Sequence, residues 1–168
     1  MSTALIPGSF DPITLGHLDV ITRTASRFEK VIVAVMNNDM QNYVQGAPVK
    51  SYMFILSERR AMVEAACAHL PNVEVVAAGG MLIRLFESVH ADWIIKGVRS
   101  TADFEYEQKH ALYNRAHDPR AETLYMPADP AFDGLSSTLV RERIRGNQPL
   151  EGYLPEAVIR WLSEHPRD

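Results

Sequence analysis

The sequence has only one cysteine, Cys67, so no disulfide can form within the chain. Its place inside the helical stretch SERRAMVEAACAHL predicts a buried thiol, which suits a reducing cytoplasm. The chain also lacks a basic N-terminal segment followed by an apolar core, and it contains no run of about 18 apolar residues. These absences argue against export and against a membrane-spanning helix, so we expect a cytoplasmic protein.

Positive charge is also scarce, since 21 acidic residues outnumber 17 basic ones and give a formal net charge of −4. A protein that binds nucleic acid through bulk charge would have the opposite balance, although a local basic pocket is compatible with these totals. We therefore expect neither a nucleic-acid partner nor a membrane partner.

Signatures of several enzyme classes are missing as well. There is no GxxxxGK[ST] phosphate-binding loop, no GxGxxG dinucleotide fingerprint and no GxSxG nucleophile elbow. Cysteine and histidine residues nowhere cluster at the spacing of a zinc site. The sequence thus predicts no metal ligands from the protein and no covalent nucleophile.

What is present is a chain of globular composition, with 46% hydrophobic and 23% charged residues over 168 positions. A chain of this length is most simply one domain, residues 1–168, and can bury about 70% of the surface that its unfolded form exposes. The long connection between Asn37 and Tyr52 exceeds most loops of compact domains and is either a functional flap or a surface insertion.

Short apolar runs rich in branched residues alternate with stretches of helical period. The runs predict five largely buried strands, at 4–7, 31–36, 73–77, 93–96 and 122–126. Because a helical stretch follows each of the first four, the pattern predicts an α/β fold with a parallel five-stranded sheet and helices on both faces. Two C-terminal helices are expected, one beginning near Ser136 and one after Pro155.

Polar residues collect where the predicted strands end, which is the edge at which doubly wound sheets bind ligands. Gly8 and Ser9 end the first strand, in a turn whose backbone N–H groups can approach an anion. Thr14 and His17 then open the next helix, whose free N–H groups favour phosphate. The short TxGH pattern leaves two roles open for His17, a donor to a phosphoryl oxygen or a helix cap.

Cations are found at the end of the fourth strand and in the helix that begins near Ser136. Lys96 and Arg99 come at the end of a buried strand and need an anionic partner, either a ligand or a nearby carboxylate. The carboxylates within reach along the chain are those of Asp103, Glu105 and Glu107. A second candidate anion site at a helix start comprises Ser136, Ser137, Thr138 and Arg141.

Three motifs in this order and spacing, GSFDPITLGH, KGVRSTADFEYE and LSSTLVRE, closely resemble the bacterial phosphopantetheine adenylyltransferase family of the nucleotidyltransferase superfamily. The resemblance extends from Ala4 to about Val158. It implies a Rossmann-like fold and transfer of the adenylyl group of ATP to 4′-phosphopantetheine with Mg²⁺, without a covalent intermediate. It also implies a homohexamer, with coenzyme A as a feedback inhibitor.

The resemblance further implies residue roles. Three residues would be catalytic: Ser9, His17 and Lys50. The acceptor would contact Ser9, Lys50, Met81, Leu82 and Lys96. The nucleotide would contact Ser9, Phe10, His17, Gly97, Val98, Arg99, Tyr106, Glu107, Ser136, Ser137, Thr138 and Arg141.

The chain departs from the family pattern near Lys50. The loop before this lysine is longer than usual by roughly nine residues, and Tyr52 replaces a common proline. Two alternative functions remain open from the residues alone: adenylyl transfer to another phosphate acceptor such as nicotinamide mononucleotide, and nucleotide binding without catalysis.

Overall fold

The structure is a computed structural model that describes residues 2–37 and 50–168. Most of the long connection predicted between Asn37 and Tyr52 lies outside the described residues. The strands form one sheet in the order β3-β2-β1-β4-β5, with every neighbouring pair parallel. Their bounds are Thr3–Gly8 (β1), Lys30–Met36 (β2), Val73–Ala78 (β3), Trp93–Val98 (β4) and Thr123–Pro127 (β5).

The inner strand β2 explains the apolar runs of the sequence. Val31, Val33 and Val35 point into a large core on one face of the sheet, beneath α1, α2, α5 and α6. Ile32 and Met36 point into a smaller core on the other face, with α3. A strand buried on both faces needs apolar side chains at every position, so it shows a continuous run instead of an alternation.

Helices follow the first four strands, as predicted, and two more close the chain. Their bounds are Leu15–Ala25 (α1), Leu56–Cys67 (α2), Leu82–Ser88 (α3), Thr101–His117 (α4), Ser137–Arg145 (α5) and Glu156–Glu164 (α6). The α/β fold class is confirmed. Within the described ranges, no helix is both long enough and apolar enough to cross a membrane.

Cys67 ends α2 and is 3% exposed, which confirms the predicted buried thiol. Burial raises the pKa of Cys67 to about 12, so the thiol stays protonated and unreactive at neutral pH.

The strand order reverses between β1 and β4. The chain moves from β1 through β2 to β3 at one edge, and then crosses back to place β4 on the other side of β1. The loops that follow β1 and β4 therefore leave the sheet in opposite directions and open a crevice between them. The predicted motifs meet in this crevice.

Candidate active site

A cavity of about 500 Å³ lies at the carboxyl end of the sheet, between the β1 loop and the beginnings of α1, α4 and α5. The residues to which the family resemblance gave a role all lie in the described part of the chain. Among them, only Val98 does not line the cavity. The carbonyl of Val98 accepts a hydrogen bond from the Ala128 N–H at 2.9 Å. The others that line it are Ser9, Phe10, His17, Lys50, Met81, Leu82, Lys96, Gly97, Arg99, Tyr106, Glu107, Ser136, Ser137, Thr138 and Arg141.

His17 both caps α1 and faces the cavity. The Thr14 backbone N–H donates to His17 Nδ1 at 3.0 Å, while the His17 N–H donates to Thr14 Oγ1 at 3.3 Å. Because a peptide N–H can only donate, Nδ1 must be unprotonated, and the neutral ring carries its proton on Nε2. The two roles that the sequence left open are therefore compatible: Nδ1 caps the helix, and Nε2–H can donate to a ligand.

The charge state of His17 is set by its surroundings. Burial is the largest cause that lowers the pKa of His17 to about 4, followed by the positive charges of Arg99, Lys50 and Lys96. The Phe10 ring and the imidazole make an edge-to-face contact, with 5.2 Å between ring centroids. His17 is thus a neutral, oriented hydrogen-bond donor at neutral pH.

We expect the His17 imidazole to stay neutral, with its proton on Nε2, when the free protein is titrated from pH 8 to about pH 5. The pKa of this ring is lower in the folded protein than in the unfolded chain, so protonation favours unfolding. The stability that the neutral ring contributes is therefore complete above pH 6.5, the usual pKa, and is lost as the pH falls towards about 4. Nitrogen-15 NMR of labelled histidine distinguishes the tautomers directly. A His17 signal that titrates near pH 6.5 would contradict the assignment.

Ser9 and Lys50 meet across the mouth of the cavity. Lys50 Nζ donates to Ser9 Oγ at 2.9 Å, which brings together two residues that are 41 positions apart. Lys50 as a whole is exposed, but its ammonium group lies in the cavity. Desolvation there, followed by the charge of Arg141, lowers the pKa of Lys50.

Arg59 supports this contact and was missed by the sequence analysis. The residue is 1% exposed, and its guanidinium donates to the carbonyls of Phe54 at 3.0 Å, Ser9 at 2.9 Å and Met36 at 3.2 Å. It also donates to the side chain of Asn37. A signal was available, because Arg59 precedes Met62, Val63 and Ala66 at helical spacing and so lies on the buried face of α2.

Asp11 is the second residue that sequence reasoning missed. Its buried carboxylate accepts the backbone N–H groups of Met53 and Phe54, each at 2.9 Å, and is 1% exposed. Arg141 donates to the Asp11 carbonyl at 2.9 Å and lies 3.9 Å from the carboxylate. Asp11 therefore joins the β1 loop to the segment that carries Lys50 and to α5.

The start of α5 closes the cavity from the other side. Ser136 caps the helix by accepting the Leu139 N–H at 3.1 Å, and the Ser137 hydroxyl donates to the Pro12 carbonyl at 2.8 Å. Arg141 Nη2 donates to Thr138 Oγ1 at 3.0 Å, so the two share one face of α5. The N-termini of α1 and α5 thus open on the same cavity, and each is favourable for an anion.

Lys96, near the end of β4, and Arg99, just after it, have carboxylate partners within the protein. Lys96 lies 3.1 Å from Glu107, and Arg99 lies 3.4 Å from Asp103. Burial alone would raise the pKa of Glu107, but the His110 ring, whose Nδ1 lies 3.7 Å from the carboxylate, and the charge of Lys96 outweigh it and hold the pKa below its usual value. Both cations still line the cavity, so each can keep its carboxylate partner and also contact a ligand.

The arrangement suits a polyphosphate. Two helix N-termini, a neutral imidazole donor and the cations Lys50, Lys96, Arg99 and Arg141 surround one cavity. Among residues 2–37 and 50–168, no group of three or more His, Cys, Asp or Glu side chains could hold a metal ion.

Comparisons with known proteins agree with this chemistry. A profile of the family described as cytidylyltransferase-like matches residues 5–143. Phosphopantetheine adenylyltransferases from Caldanaerobacter subterraneus subsp. tengcongensis and Symbiobacterium thermophilum are 39% and 40% identical over 164 residues, covering 98% of this chain and 97% and 96% of theirs. That of Mannheimia succiniciproducens is 39% identical over 165 residues, which is 98% of each chain.

Proposed function

The chain belongs to the phosphopantetheine adenylyltransferase family, within the cytidylyltransferase-like family, and on this premise we propose that it adenylylates 4′-phosphopantetheine with ATP. The products are dephospho-coenzyme A and pyrophosphate, in the penultimate step of coenzyme A synthesis. The observation that carries the proposal is the neutral Nε2–H donor of His17 at a helix N-terminus, among the cations of one cavity.

The reaction is an in-line displacement at the α-phosphorus of ATP. An oxygen of the acceptor phosphate forms a bond to this phosphorus, while its bond to the oxygen that bridges to pyrophosphate breaks. Such a transfer needs alignment and stabilisation of negative charge, and it needs no covalent intermediate on the enzyme. His17 Nε2–H donates to the α-phosphate, and in the free protein burial keeps the ring neutral.

The two substrates enter from different sides of His17. Lys50 and Ser9 hold the phosphate of the acceptor, and the apolar side chains of Met81 and Leu82 face its pantetheine arm, with Lys96 nearby. Gly97, Arg99, Tyr106 and Glu107 face the nucleotide. Its β- and γ-phosphates meet the N-terminus of α5, at Ser136, Ser137, Thr138 and Arg141.

Magnesium enters with the nucleotide as MgATP. The described residues contain no carboxylate cluster for a resident metal ion, and the phosphate oxygens of ATP are the hard ligands that Mg²⁺ prefers. The chain's own cations then neutralise the charge that the bound Mg²⁺ leaves on the triphosphate.

We expect pyrophosphate release only when ATP, Mg²⁺ and 4′-phosphopantetheine are all present. Pantetheine without its phosphate lacks the oxygen that attacks the α-phosphorus, so we expect no pyrophosphate release with it. Nicotinamide mononucleotide is the control acceptor. Activity with this nucleotide alone would overturn the acceptor, and ATP binding without pyrophosphate release from any acceptor would indicate a non-catalytic module.

Three further properties form part of the proposal. The enzyme works in the cytoplasm, where ATP is available, and coenzyme A inhibits it because product and substrate share the pantetheine arm. It assembles as a homohexamer, which is supported by apolar side chains exposed on α4 and the edge strand β5. Phe104 is 40% exposed, Leu112 59% and Leu124 41%.

A further inference from the structure

The Tyr52 ring lies beside two cations, the buried Arg59 and the cavity residue Lys50. The Arg59 guanidinium carbon lies 4.2 Å from the ring centroid, which is close stacking. Lys50 Nζ lies 5.6 Å from the same centroid. Both distances fall within the range in which a cation is attracted to the face of an aromatic ring.

The two cations differ in freedom. Arg59 is 1% exposed and holds carbonyls of the β1 loop, the end of β2 and the segment before α2, so its position is fixed. A ring stacked on this guanidinium has a fixed position as well. Lys50 is exposed, and its long, flexible side chain loses conformational entropy when it is held in one place.

Like charges surround the Lys50 ammonium group. Arg141, Arg59 and Lys96 each disfavour its charged form, and Asp11 opposes them. Ser9 Oγ accepts a hydrogen bond from the ammonium group but carries no negative charge, so this bond compensates only part of the repulsion. The electron-rich face of the Tyr52 ring supplies a further attraction beside Ser9.

We infer that Tyr52 is a positioning residue: stacked on the buried Arg59, its ring holds the Lys50 ammonium group beside Ser9, where the two grip the phosphate of the acceptor. The inference rests on the proposed function for the identity of that phosphate. The placement of Lys50 itself does not depend on it.

The test compares three variants with the wild type. Tyr52→Leu removes the aromatic face, whereas Tyr52→Phe retains it. Tyr153→Leu is the matched control, because the Arg143 guanidinium carbon also lies 4.2 Å from the Tyr153 ring centroid, outside the cavity lining. Circular dichroism and thermal melting establish that each variant is folded.

We expect Tyr52→Leu to lower kcat/KM for 4′-phosphopantetheine about tenfold and to leave the Kd of ATP, measured without acceptor, unchanged. Tyr52→Phe and Tyr153→Leu should match the wild type in both quantities. Wild-type kinetics in Tyr52→Leu, or an equal loss in Tyr153→Leu, would overturn the positioning role.

A second measurement is independent of turnover. With ¹³C-labelled lysine, the methylene group next to Lys50 Nζ should show a ring-current shift in the wild type and in Tyr52→Phe that is absent from Tyr52→Leu; a Lys50→Arg variant assigns the signal. An unchanged shift in Tyr52→Leu would overturn the inference. If the wild type transfers no adenylyl group, the proposed function fails, and the shift alone still decides where Lys50 is held.

Discussion

Replacing His17 with alanine lowers kcat by a factor of about 10² to 10³, the usual effect of removing one preorganised donor from a site where negative charge develops. The Nε2–H group is oriented before the substrate arrives, because Thr14 fixes Nδ1 and Phe10 packs on the ring. Its hydrogen bond strengthens as charge builds on the α-phosphate, so we expect kcat to fall more than KM for ATP rises.

The measurement is steady-state kinetics with each substrate varied in turn. His69→Ala is the control, since His69 is an exposed histidine beyond the end of α2 and outside the cavity lining. His17→Ala also removes half of the capping box, so the free energy of unfolding should fall by about 1 kcal/mol without loss of the fold. A folded variant with near-normal turnover would exclude His17 from the mechanism.

Replacing Asp11 with asparagine lowers the free energy of unfolding by about 3 kcal/mol, the scale of a broken buried charge network. The carboxylate accepts two backbone N–H groups, one on each oxygen. An amide has one acceptor oxygen, so its NH₂ group must face a second donor. The substitution also removes the negative charge that, among the described residues, favours the charged form of Lys50.

Urea denaturation measures this loss. Asp92→Asn is the matched control, because Asp92 Oδ2 also accepts a backbone N–H, from Thr3 at 2.7 Å. Asp92 is exposed, and it lies at the amino end of the strands, away from the cavity. We expect Asp92→Asn to cost less than about 1 kcal/mol, since water satisfies the amide. Equal losses in the two variants would mean that the burial of Asp11 adds nothing to the free energy of unfolding.

The fold was predictable chiefly because the inner strands β1 and β2 are largely buried, whereas the edge strands β3 and β5 contain no fully buried residue. Buried strands are continuous apolar runs, and the predicted ranges differ from the observed ones by at most two residues at either end. For β4 the prediction ended at 96, whereas the strand continues through Gly97 and Val98 because these residues pair with Met126 and Pro127 of β5. Pairing with a distant strand leaves no local signal.

The long helix α4 was predicted only at its beginning. Ser100 caps it by accepting the Asp103 N–H at 3.1 Å, and this capping pattern is local in sequence. Its continuation to His117 has little apolar periodicity, because Asn114 is the one residue of α4 that is fully buried. A helix with so few buried positions needs no apolar stripe, so its sequence shows little helical periodicity.

The candidate site was predictable where side chains carry the chemistry. The motifs specified the hydroxyls, the imidazole and most of the cations that line the cavity. Arg59 and Asp11 were missed because their partners are mainly backbone carbonyls and N–H groups, which are common to residues of almost every type. A sequence pattern cannot indicate which of these distant groups a buried side chain will reach.

Helix α4 has a consequence beyond its own chain. Tyr106, Glu107 and His110 line the cavity, while Phe104 and Leu112 project from the same helix as exposed apolar side chains. A rigid helix cannot shift one flank and leave the other in place. A partner that covers the outer flank would therefore restrain the element from which Tyr106, Glu107 and His110 enter the cavity.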